Sequence, residues 1–124
     1  MTVAIGIGCR YGASGQAIVA LVRTTLEAAG LASEDAALFT IDAKACEAGL
    51  VQAAAQLGAP LKFLSPEALA AIETPTFSIR AKEMFGVSSV AESAALAGAG
   101  EGAVLVVPRV AREGVTCAIA RAPK

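Results

Sequence analysis

Short apolar runs alternate with stretches of helical periodicity over the first half of the chain. Residues 2–8 form a β-rich run bounded by glycine, which is typical of a buried strand, and helical spacing then continues until Gly30. Residues 37–42 predict a second strand, and Gly58 and Pro60 close the helix that follows it. The inward-facing positions are Ile18, Leu21, Val22, Thr25 and Ala29 in the first helix and Cys46, Leu50, Ala53, Ala54 and Leu57 in the second.

The alternation continues with shorter elements. Residues 61–64 predict a brief strand, and a short helix follows to about Ile72, with Ser65 as its N-cap and Pro66 at its first position. Residues 73–86 combine a proline and mixed charges without a clean period. They predict a surface loop or an irregular helix, and they are the best candidate for a mobile segment.

The last part of the chain predicts a helix and a hairpin. The stretch SVAESAALAGAG opens with the capping-box residues Ser89 and Glu92 and ends in glycines. The runs AVLVVPRV and GVTCAIARA predict two strands that pair antiparallel around a short turn containing Glu113 and Gly114. All these elements together predict one domain over residues 1–124. The fold class is α/β, with three layers (α/β/α), a mainly parallel sheet and a C-terminal antiparallel hairpin.

Composition narrows the choice of partners. The chain has 124 residues, of which 56% are hydrophobic and only 4% aromatic, so Val, Ile, Leu and closely packed Ala must build the core. The formal net charge is -1, whereas proteins that bind nucleic acid or an anionic membrane usually have a strongly basic surface. No apolar run is long enough to span a bilayer, and the start lacks the features of a secretory signal. We therefore expect a cytoplasmic protein that binds neither nucleic acid nor membrane.

The chain has no histidine and three widely separated cysteines. Cys9, Cys46 and Cys117 fit neither a disulfide framework nor a spaced metal site, so we expect reduced thiols, no metal and no cofactor. Cys46 and Cys117 occupy core positions. Cys9 lies beside Arg10 in the first turn, where a cation and a helix end would lower a thiol pKa, but no histidine is present to act as its base. A small buried apolar role for Cys9 is the alternative.

The first predicted turn, GIGCRYGAS, is rich in glycine. Gly6, Gly8 and Gly12 approximate the dinucleotide fingerprint G-x-G-x-x-G, but the spacing is one residue too long and the acid after the second strand is too distant. A glycine turn that leads into a helix still offers backbone N–H groups and a positive helix end to an anion. Arg10 and Ser14 add a cation and a hydroxyl there. The alternative is structural: the glycines permit close helix packing, and Ser14 only caps the helix.

The next strand-to-helix junction also carries candidate groups. Asp42, Lys44 and Glu47 follow the second predicted strand, and Lys44 and Glu47 share a helix face because they are three positions apart. The structural alternative is a surface ion pair with Asp42 as the N-cap. Lysine before glutamate in a first helical turn opposes the order that the helix dipole favours, which points toward a functional role.

A third junction combines hydroxyls and a carboxylate. The predicted helix over residues 89–100 begins with Ser88, Ser89 and Glu92. The structural alternative to a ligand contact is that Ser89 and Glu92 only form a capping box. Both roles are compatible, because a capped helix end still presents free N–H groups. Arg80 and Lys82 in the irregular segment are candidates for closing over a ligand, with a solvated loop face as the alternative.

Four stretches in this order resemble one protein family. They are GIGCRYGAS, IDAKACEAGL, APLKFLSPEAL and GVSSVAESAAL, and they resemble the CobE family, whose module is also the C-terminal domain of CbiG in cobalamin biosynthesis. The resemblance covers nearly the whole chain. The departures are Tyr11 where a second basic residue is common, Ala43 in the second stretch, and Ser93 where alanine is usual.

The resemblance implies a ligand and a pathway. The implied ligand is a precorrin-type tetrapyrrole, a flat macrocycle with acetate and propionate carboxylates around its rim. Backbone N–H donors, hydroxyls and cations are the protein groups that bind such carboxylates. The resemblance also implies other corrin-pathway enzymes as partners. The expected ligand-binding residues are Gly8, Cys9, Arg10, Gly12, Ser14, Asp42, Lys44, Glu47, Ser88, Ser89 and Glu92.

The sequence and the resemblance are compatible with three functions. The first is a module that binds a precorrin and assists its processing or transfer. The second is a cobalt-precorrin lactone hydrolase that releases acetaldehyde, as CbiG is associated with, in which Glu47 or Glu92 activates water and turn N–H groups stabilise the oxyanion. The third is a Rossmann-type nucleotide-binding domain, which the glycine spacing disfavours.

Overall fold

A computed structural model describes residues 2–9, 12–42, 48–72, 74 and 89–123. Within these ranges the strands are β1 (Thr2–Cys9), β2 (Asp35–Ile41), β3 (Leu61–Leu64), β4 (Val104–Arg112) and β5 (Val115–Arg121). The helices are α1 (Gly15–Ala28), α2 (Ala48–Leu57), α3 (Pro66–Ala70) and α4 (Val90–Ala99). Each of these elements agrees with a predicted one to within a few residues. Of the predicted irregular segment 73–86 the structure describes only Thr74, so its character stays a prediction.

The strands form one five-stranded sheet in the order β3-β2-β1-β5-β4. β1, β2 and β3 are parallel neighbours, whereas β5 pairs antiparallel with both β1 and β4. In β1, Ile5 lies between Leu38 of β2 and Ile119 of β5. The α/β class with a C-terminal hairpin is therefore confirmed. The hairpin joins the sheet through its second strand, which lies next to the first strand of the chain.

Helices α1 and α2 cover one face of the sheet. β1 directs Val3, Ile5 and Ile7 to this face because alternate side chains of a strand point to the same side. The helices contribute Ile18, Val19, Leu21, Val22 and Leu26 from α1 and Leu50, Ala53 and Ala54 from α2. Burying one such Val, Leu or Ile is worth about 1.5–3 kcal/mol, so this cluster is a main source of stability. The predicted inward stripe is confirmed except at Cys46, which lies outside the described residues.

Helices α3 and α4 cover the opposite face, and small residues line most of this contact. Ala4, Gly6 and Gly8 of β1 alternate with the large residues, and Ala118 and Ala120 of β5 pack against α4. The facing residues of α4 are Ala91, Ala94 and Ala95. A side chain at Gly6 would overlap the backbone of α4 at Ala91, so the helix can lie close to the sheet only because Gly6 has no Cβ. The result is a three-layer α/β/α arrangement.

The helix ends carry the caps that the sequence predicts. Ser14 Oγ accepts a hydrogen bond from Ala17 N at 3.1 Å, and Ser65 Oγ accepts one from Ala68 N at 3.2 Å. Gly30 and Gly58 follow α1 and α2 with φ of 72° and 64°. Both helices end in Schellman motifs, made by Leu31 N to Leu26 O and Gly30 N to Glu27 O, and by Ala59 N to Ala54 O and Gly58 N to Ala55 O.

The β4–β5 hairpin turns tightly and has an irregular outer strand. Its two turn residues, Glu113 and Gly114, have φ of 54° and 78°, as a type I′ turn requires. The pairing of β4 with β5 shifts register between Leu105 and Val107 and again between Val107 and Val110. Such bulges make an edge strand a poor template for pairing with another chain.

Candidate functional site

The carboxyl ends of the parallel strands lie at one edge of the sheet, which we call the carboxyl edge. It contains Cys9 at the end of β1 and Asp42 directly after β2. Because β5 runs antiparallel to β1, its first residues, Val115 and Thr116, lie opposite Cys9 and Gly8 at the same edge. Open α/β sheets bind ligands outside the carboxyl ends of their strands, where neighbouring connections leave on opposite faces.

Two helices begin at the end of β1, one on each face of the sheet. α1 starts after Ser14 on one face, and α4 starts after Ser89 on the other, with Val90 in van der Waals range of a Cβ built at Gly8. The first-turn N–H groups of a helix have no partner within the helix, and its positive dipole end attracts anions. We call this part of the carboxyl edge the β1 crevice, formed by Gly8, Cys9, Gly12, Ser14 and Ser89.

The two serines of the β1 crevice act as helix caps. Ser14 Oγ accepts from Ala17 N, and Ser89 Oγ accepts from Glu92 N at 3.4 Å. Ser14 is exposed, whereas Ser89 is buried. The structural interpretation of both serines is therefore confirmed, and their contact with a ligand stays a prediction.

The turn between β1 and α1 rests against α2. Gly12 has a φ of 81°, a conformation that favours glycine. A side chain at Gly49 would overlap the carbonyl of Ala13, and one at Gly15 would lie 3.0 Å from Gln52. Gly49 belongs to the stretch IDAKACEAGL, so the glycine of that motif has a packing role: it lets α2 support the turn from behind.

Two threonines hold the end of β1. Thr40 Oγ1 donates to Ile7 O at 2.7 Å, and Thr116 Oγ1 donates to Gly8 O at 3.2 Å. Both hydroxyls bond carbonyls of β1 that are far away along the chain. The sequence carries no signal for these contacts, because they depend on which strands become neighbours.

Glu92 is fully buried in the first turn of α4. Its Oε2 accepts a hydrogen bond from the backbone N–H of Arg109 in β4 at 2.9 Å. The carboxylate that the sequence predicts as a candidate base therefore binds a strand amide. Its part in ligand binding or catalysis stays a prediction.

The remaining predicted residues divide into two groups. Arg10, Lys44, Glu47 and Ser88 lie outside the described residues, so their roles stay predictions. Asp42 is exposed at the carboxyl edge. Within the described ranges no group of three or more His, Cys, Asp or Glu side chains could hold a metal ion, and no helix is long and apolar enough to cross a membrane.

The two described cysteines have different surroundings. Cys9 is half-buried and packs against the core under α1 and α2. Cys117 is fully buried in β5, and its Sγ donates to Thr25 Oγ1 at 3.4 Å. Burial raises the pKa of the Cys117 thiol, and the hydrogen bond to Thr25 partly opposes the rise. The prediction of a core role for Cys117 is confirmed.

Arg112 is a further cation at this edge, and no local sequence pattern marks it as a candidate. Its position in β4 pairs with Val115, which in turn pairs with Cys9, so the three form a row across the carboxyl edge. Directly opposed residues share a face, and Val115 belongs to the core under α1, so Arg112 lies on the side of α1. Two strand spacings put its Cα about 10 Å from that of Cys9.

A groove of about 410 Å³ lies at the other end of the sheet, between the ends of α1 and α2 and the start of β2. Its floor includes Leu26 and Leu38, and its rim carries three carboxylates, Glu27, Glu34 and Asp35, against one lining arginine, Arg23. Such a rim repels a ligand that carries carboxylates. The β1 crevice suits an anionic ligand better.

Known proteins match this chain over nearly its whole length. The family model described as Cobalamin synthesis G C-terminus matches residues 3–120. Protein CobE of Sinorhizobium sp is 33% identical over 120 residues, which are 94% of this chain and 77% of that protein. The crystal structure of CobE, a protein from the cobalamin (vitamin B12) biosynthetic pathway, is 39% identical and superposes with a TM-score of 0.92 over 98% of this chain and 91% of that chain.

A second solved structure supports the same assignment. Cobalamin biosynthesis protein chiG from Agrobacterium tumefaciens str. C58 is 38% identical, with a TM-score of 0.75 over 98% of this chain and 99% of that chain. The resemblance found in the four sequence stretches is thus confirmed by a family model, by a curated relative and by solved structures. The chain belongs to the family of the cobalamin synthesis G C-terminus and is a cobalamin biosynthesis protein of the CobE/CbiG type.

Proposed function

We propose that this protein binds a precorrin-type tetrapyrrole at the β1 crevice and assists its processing or transfer. Membership of a cobalamin biosynthesis family makes a corrin-pathway intermediate the first ligand to consider. The rim of such a macrocycle carries carboxylates. Backbone N–H groups at helix starts, hydroxyls and cations are the groups that bind carboxylates in proteins.

One observation carries the proposal: α1 and α4 both start near the end of β1, on opposite faces of the sheet. Two positive helix ends at one place favour a ligand with more than one negative group. Arg10 directly follows β1 in sequence, and Arg112 lies in the same edge row as Cys9. A large polycarboxylate can meet several of these groups at once, whereas a single small anion meets one.

The glycine spacing offers little support for a nucleotide ligand. Gly6 is required for the close packing of α4, and Gly8 lies against Val90 and Thr116. The partial dinucleotide fingerprint therefore has a packing explanation. A nucleotide remains a useful negative control, since it is also an anion.

The first test is a titration of the purified protein with cobyrinic acid, with its methyl ester and with NAD, followed by absorbance and thermal shift. We expect the free acid to bind and to raise the melting temperature, because its carboxylates are available to the helix ends and cations. The ester should bind at least about tenfold more weakly, since each lost charged hydrogen bond costs about 1.5–3 kcal/mol. Tight binding of NAD without binding of the corrinoid acid would overturn the proposal.

A matched pair of variants tests the cation at the first turn. Arg10→Ala should weaken binding of cobyrinic acid by about tenfold without unfolding the domain, since one charge-assisted contact is lost. Arg23→Ala removes the same charge from the exposed surface of α1 near the other end of the sheet and should leave the affinity unchanged. Equal affinities of the two variants would remove Arg10 from the site.

A lactone-bearing precorrin distinguishes transfer from hydrolysis. We expect a stoichiometric complex without release of acetaldehyde, as a binding or transfer protein would form. Acetaldehyde released over many turnovers would instead establish the hydrolase. In that case Glu47 or Glu92 would be tested as the base that activates water.

A further inference from the structure

The groove between the ends of α1 and α2 is a second concave surface, at the end of the sheet opposite the β1 crevice. We call it the α1–α2 groove; its volume is about 410 Å³, and its outer side is open to solvent. Leu26 and Leu38 in its floor are buried. Along its walls Ala36, Leu57 and Ala59 are only half-buried. Half-buried apolar side chains still have surface to remove from water, so an occupant with an apolar part gains free energy by binding there.

Two helices end at the α1–α2 groove, and their negative ends are not compensated within their last turns. α1 ends at Ala28 and α2 ends at Leu57, and Glu27 and Gly58 line the groove. The carbonyl end of a helix favours a cation in the last turn, but neither last turn contains a basic residue. The last turn of α1 contains the carboxylate of Glu27 instead, which the helix dipole disfavours. A positive group in the groove would therefore relieve an unfavourable arrangement of charge.

The charged side chains around the groove do not neutralise Glu27. Glu34 Oε1 lies 4.0 Å from Nη2 of Arg121, so this arginine is directed at Glu34. Among the described residues, Glu27 and Asp35 have no ion-pair partner within 4.0 Å, although Arg23 also lines the groove one helical turn before Glu27. Three carboxylates thus face two arginines, and the rim keeps an excess of negative charge.

An apolar groove with a negative rim is complementary to a basic side chain. The methylene stem of a lysine or an arginine packs on apolar surface while its charged head stays at the rim. A free small cation would leave the open outer side of the groove in water, whereas sites for small molecules bury most of the ligand surface. A protein segment covers that side with its own backbone and neighbouring side chains. The open shape therefore favours a segment of a protein over a free amine.

We propose that the α1–α2 groove docks a lysine or arginine side chain of a partner protein, with the stem on the apolar wall and the charged head beside Glu27. The partner would bind at the opposite end of the sheet from the β1 crevice and leave that crevice open. The inference goes beyond the proposed function and does not depend on it, because the two sites share no residue. It also gives a reason for a carboxylate at a helix end that disfavours one.

Peptides that differ in one side chain test the charge that the groove requires. The probe is acetyl-Ala-Leu-Lys-Leu-Ala-amide, titrated into the isotope-labelled protein, and its controls have norleucine or glutamate in place of the lysine. We expect the lysine peptide to shift the amide signals of Glu27, Ala32 and Gly58. The norleucine peptide keeps the stem but not the charge and should bind at least about fivefold more weakly. The glutamate peptide should give no shifts at the groove, because the rim repels it.

A small amine tests whether the occupant is a protein segment. Butylammonium is the lysine side chain without its backbone or neighbours. It should bind at least about tenfold more weakly than the lysine peptide, because the peptide also buries its leucines against the half-buried walls.

A matched pair of charge variants locates the cation at the end of α1. Glu27→Gln keeps the shape of the side chain and should weaken binding of the lysine peptide about threefold. The same change should raise the melting temperature, because the end of α1 no longer carries an opposed charge. Glu67→Gln removes an exposed carboxylate from the first turn of α3, where the dipole favours it, so it should leave binding unchanged without raising the melting temperature.

A matched pair of size variants locates the apolar part. Ala36→Leu fills the groove from its wall and should abolish the shifts caused by the lysine peptide. Ala55→Leu adds the same groups at an exposed position of α2 outside the groove lining and should bind the peptide as the wild type does. Ala32→Leu adds them at an exposed position of the rim and replaces the first variant if Ala36→Leu does not fold.

Four results would overturn the inference. No shifts at the groove with the lysine peptide would mean that the groove does not dock a basic side chain. Equal binding of the lysine and norleucine peptides would show that charge plays no part. Unchanged binding in the groove-filling variant would place the peptide elsewhere, and equal affinities for butylammonium and the peptide would make the groove a small-molecule site. A protein that fails to bind cobyrinic acid would refute the proposed function and leave these results unaffected.

Discussion

Glu92 and Ser93 are neighbouring polar residues in α4, and both are fully buried. The Glu92 carboxylate binds a backbone amide of β4. Ser93 Oγ has no hydrogen-bond partner among the described residues. An unsatisfied buried hydroxyl costs free energy because it loses its bonds to water and gains none in return. The buried Ser93 hydroxyl is therefore a local weakness of α4.

We predict that Ser93→Ala leaves the free energy of unfolding unchanged or raises it by up to about 1 kcal/mol, because it removes a desolvated hydroxyl and no bond. Ser89→Ala is the matched control in the same helix. It removes the N-cap acceptor of Glu92 N and should lower the free energy of unfolding by about 1 kcal/mol. Urea denaturation of the three proteins measures both changes. A larger loss in Ser93→Ala than in Ser89→Ala would mean that the Ser93 hydroxyl has a stabilising contact.

The three glycines of the first glycine-rich stretch serve separate purposes, because two of them lie in β1 and the third lies in the turn that follows. Gly6 makes room for the backbone of α4, Gly8 lies against Val90 and Thr116, and Gly12 adopts a positive φ. The sequence shows only that three glycines are close together. Which of them meets a helix, a side chain or open space depends on packing against residues that are distant along the chain, such as Ala91, Val90 and Thr116. The glycine pattern therefore predicted a strand followed by a turn, but it did not predict which contact each glycine makes.

At the scale of elements, the contact of α4 with the sheet is the most demanding. The strands present alanine and glycine to a helix that presents alanine in return, so the two backbones approach closely. Gly98 continues this contact, since a Cβ there would overlap the ring of Phe39. Close packing of small residues leaves little room to absorb an added methyl group.

We predict that Gly6→Ala lowers the free energy of unfolding by about 3 kcal/mol, since its Cβ would meet helix backbone that cannot rotate away. Gly8→Ala should cost about 1 kcal/mol, because the nearest atom to its Cβ is the Thr116 hydroxyl at 2.7 Å, which can turn at the cost of one hydrogen bond. Urea denaturation midpoints at equal m-values compare the two. If Gly8→Ala proves the more damaging change, α4 does not pack as tightly on β1 as described.

At the scale of the whole molecule, the thiol of Cys117 is fully buried in the main core. Burial raises the pKa of Cys117, while Thr25 partly opposes the rise. The folded protein therefore holds the thiol proton more tightly than the unfolded chain does, in which a cysteine titrates near pH 8.5. The stability that comes from the neutral thiol is fully present below about pH 8.5 and is lost as the pH rises toward the folded-state pKa.

We predict that the free energy of unfolding falls more steeply above about pH 8.5 in the wild type than in Cys117→Ala, with a difference of up to about 1.4 kcal/mol for each pH unit. Ile119→Val is the matched control, since it removes one carbon from the same strand and cluster without changing a titratable group. The free energy of unfolding of Ile119→Val should be lower than that of the wild type by a similar amount at every pH. Parallel pH profiles for the wild type and Cys117→Ala would contradict the prediction.

The candidate site was only partly predictable. Gly8, Cys9, Gly12, Ser14, Asp42 and Ser89 were expected at strand ends and helix starts, and the structure places them at the carboxyl edge or beside it. The local patterns sufficed there, because a capping serine or a glycine turn is recognisable within a few residues. Thr40, Thr116 and Arg112 gave no such signal. Their positions at this edge follow from strand order, above all from the pairing of β5 with β1, which no local pattern encodes.

The sequence alone determined the series of strands and helices, the helix caps, the tight hairpin turn and the family, because each depends on residues close together along the chain or on motifs in a set order. The tertiary structure decided that β5 lies beside β1, that α4 covers the glycine face of β1, and that Glu92 binds the bulge of β4. These are contacts between distant residues. They form only when the apolar faces of several elements are buried together, and they bring two helix starts and the hairpin end to one edge of the sheet.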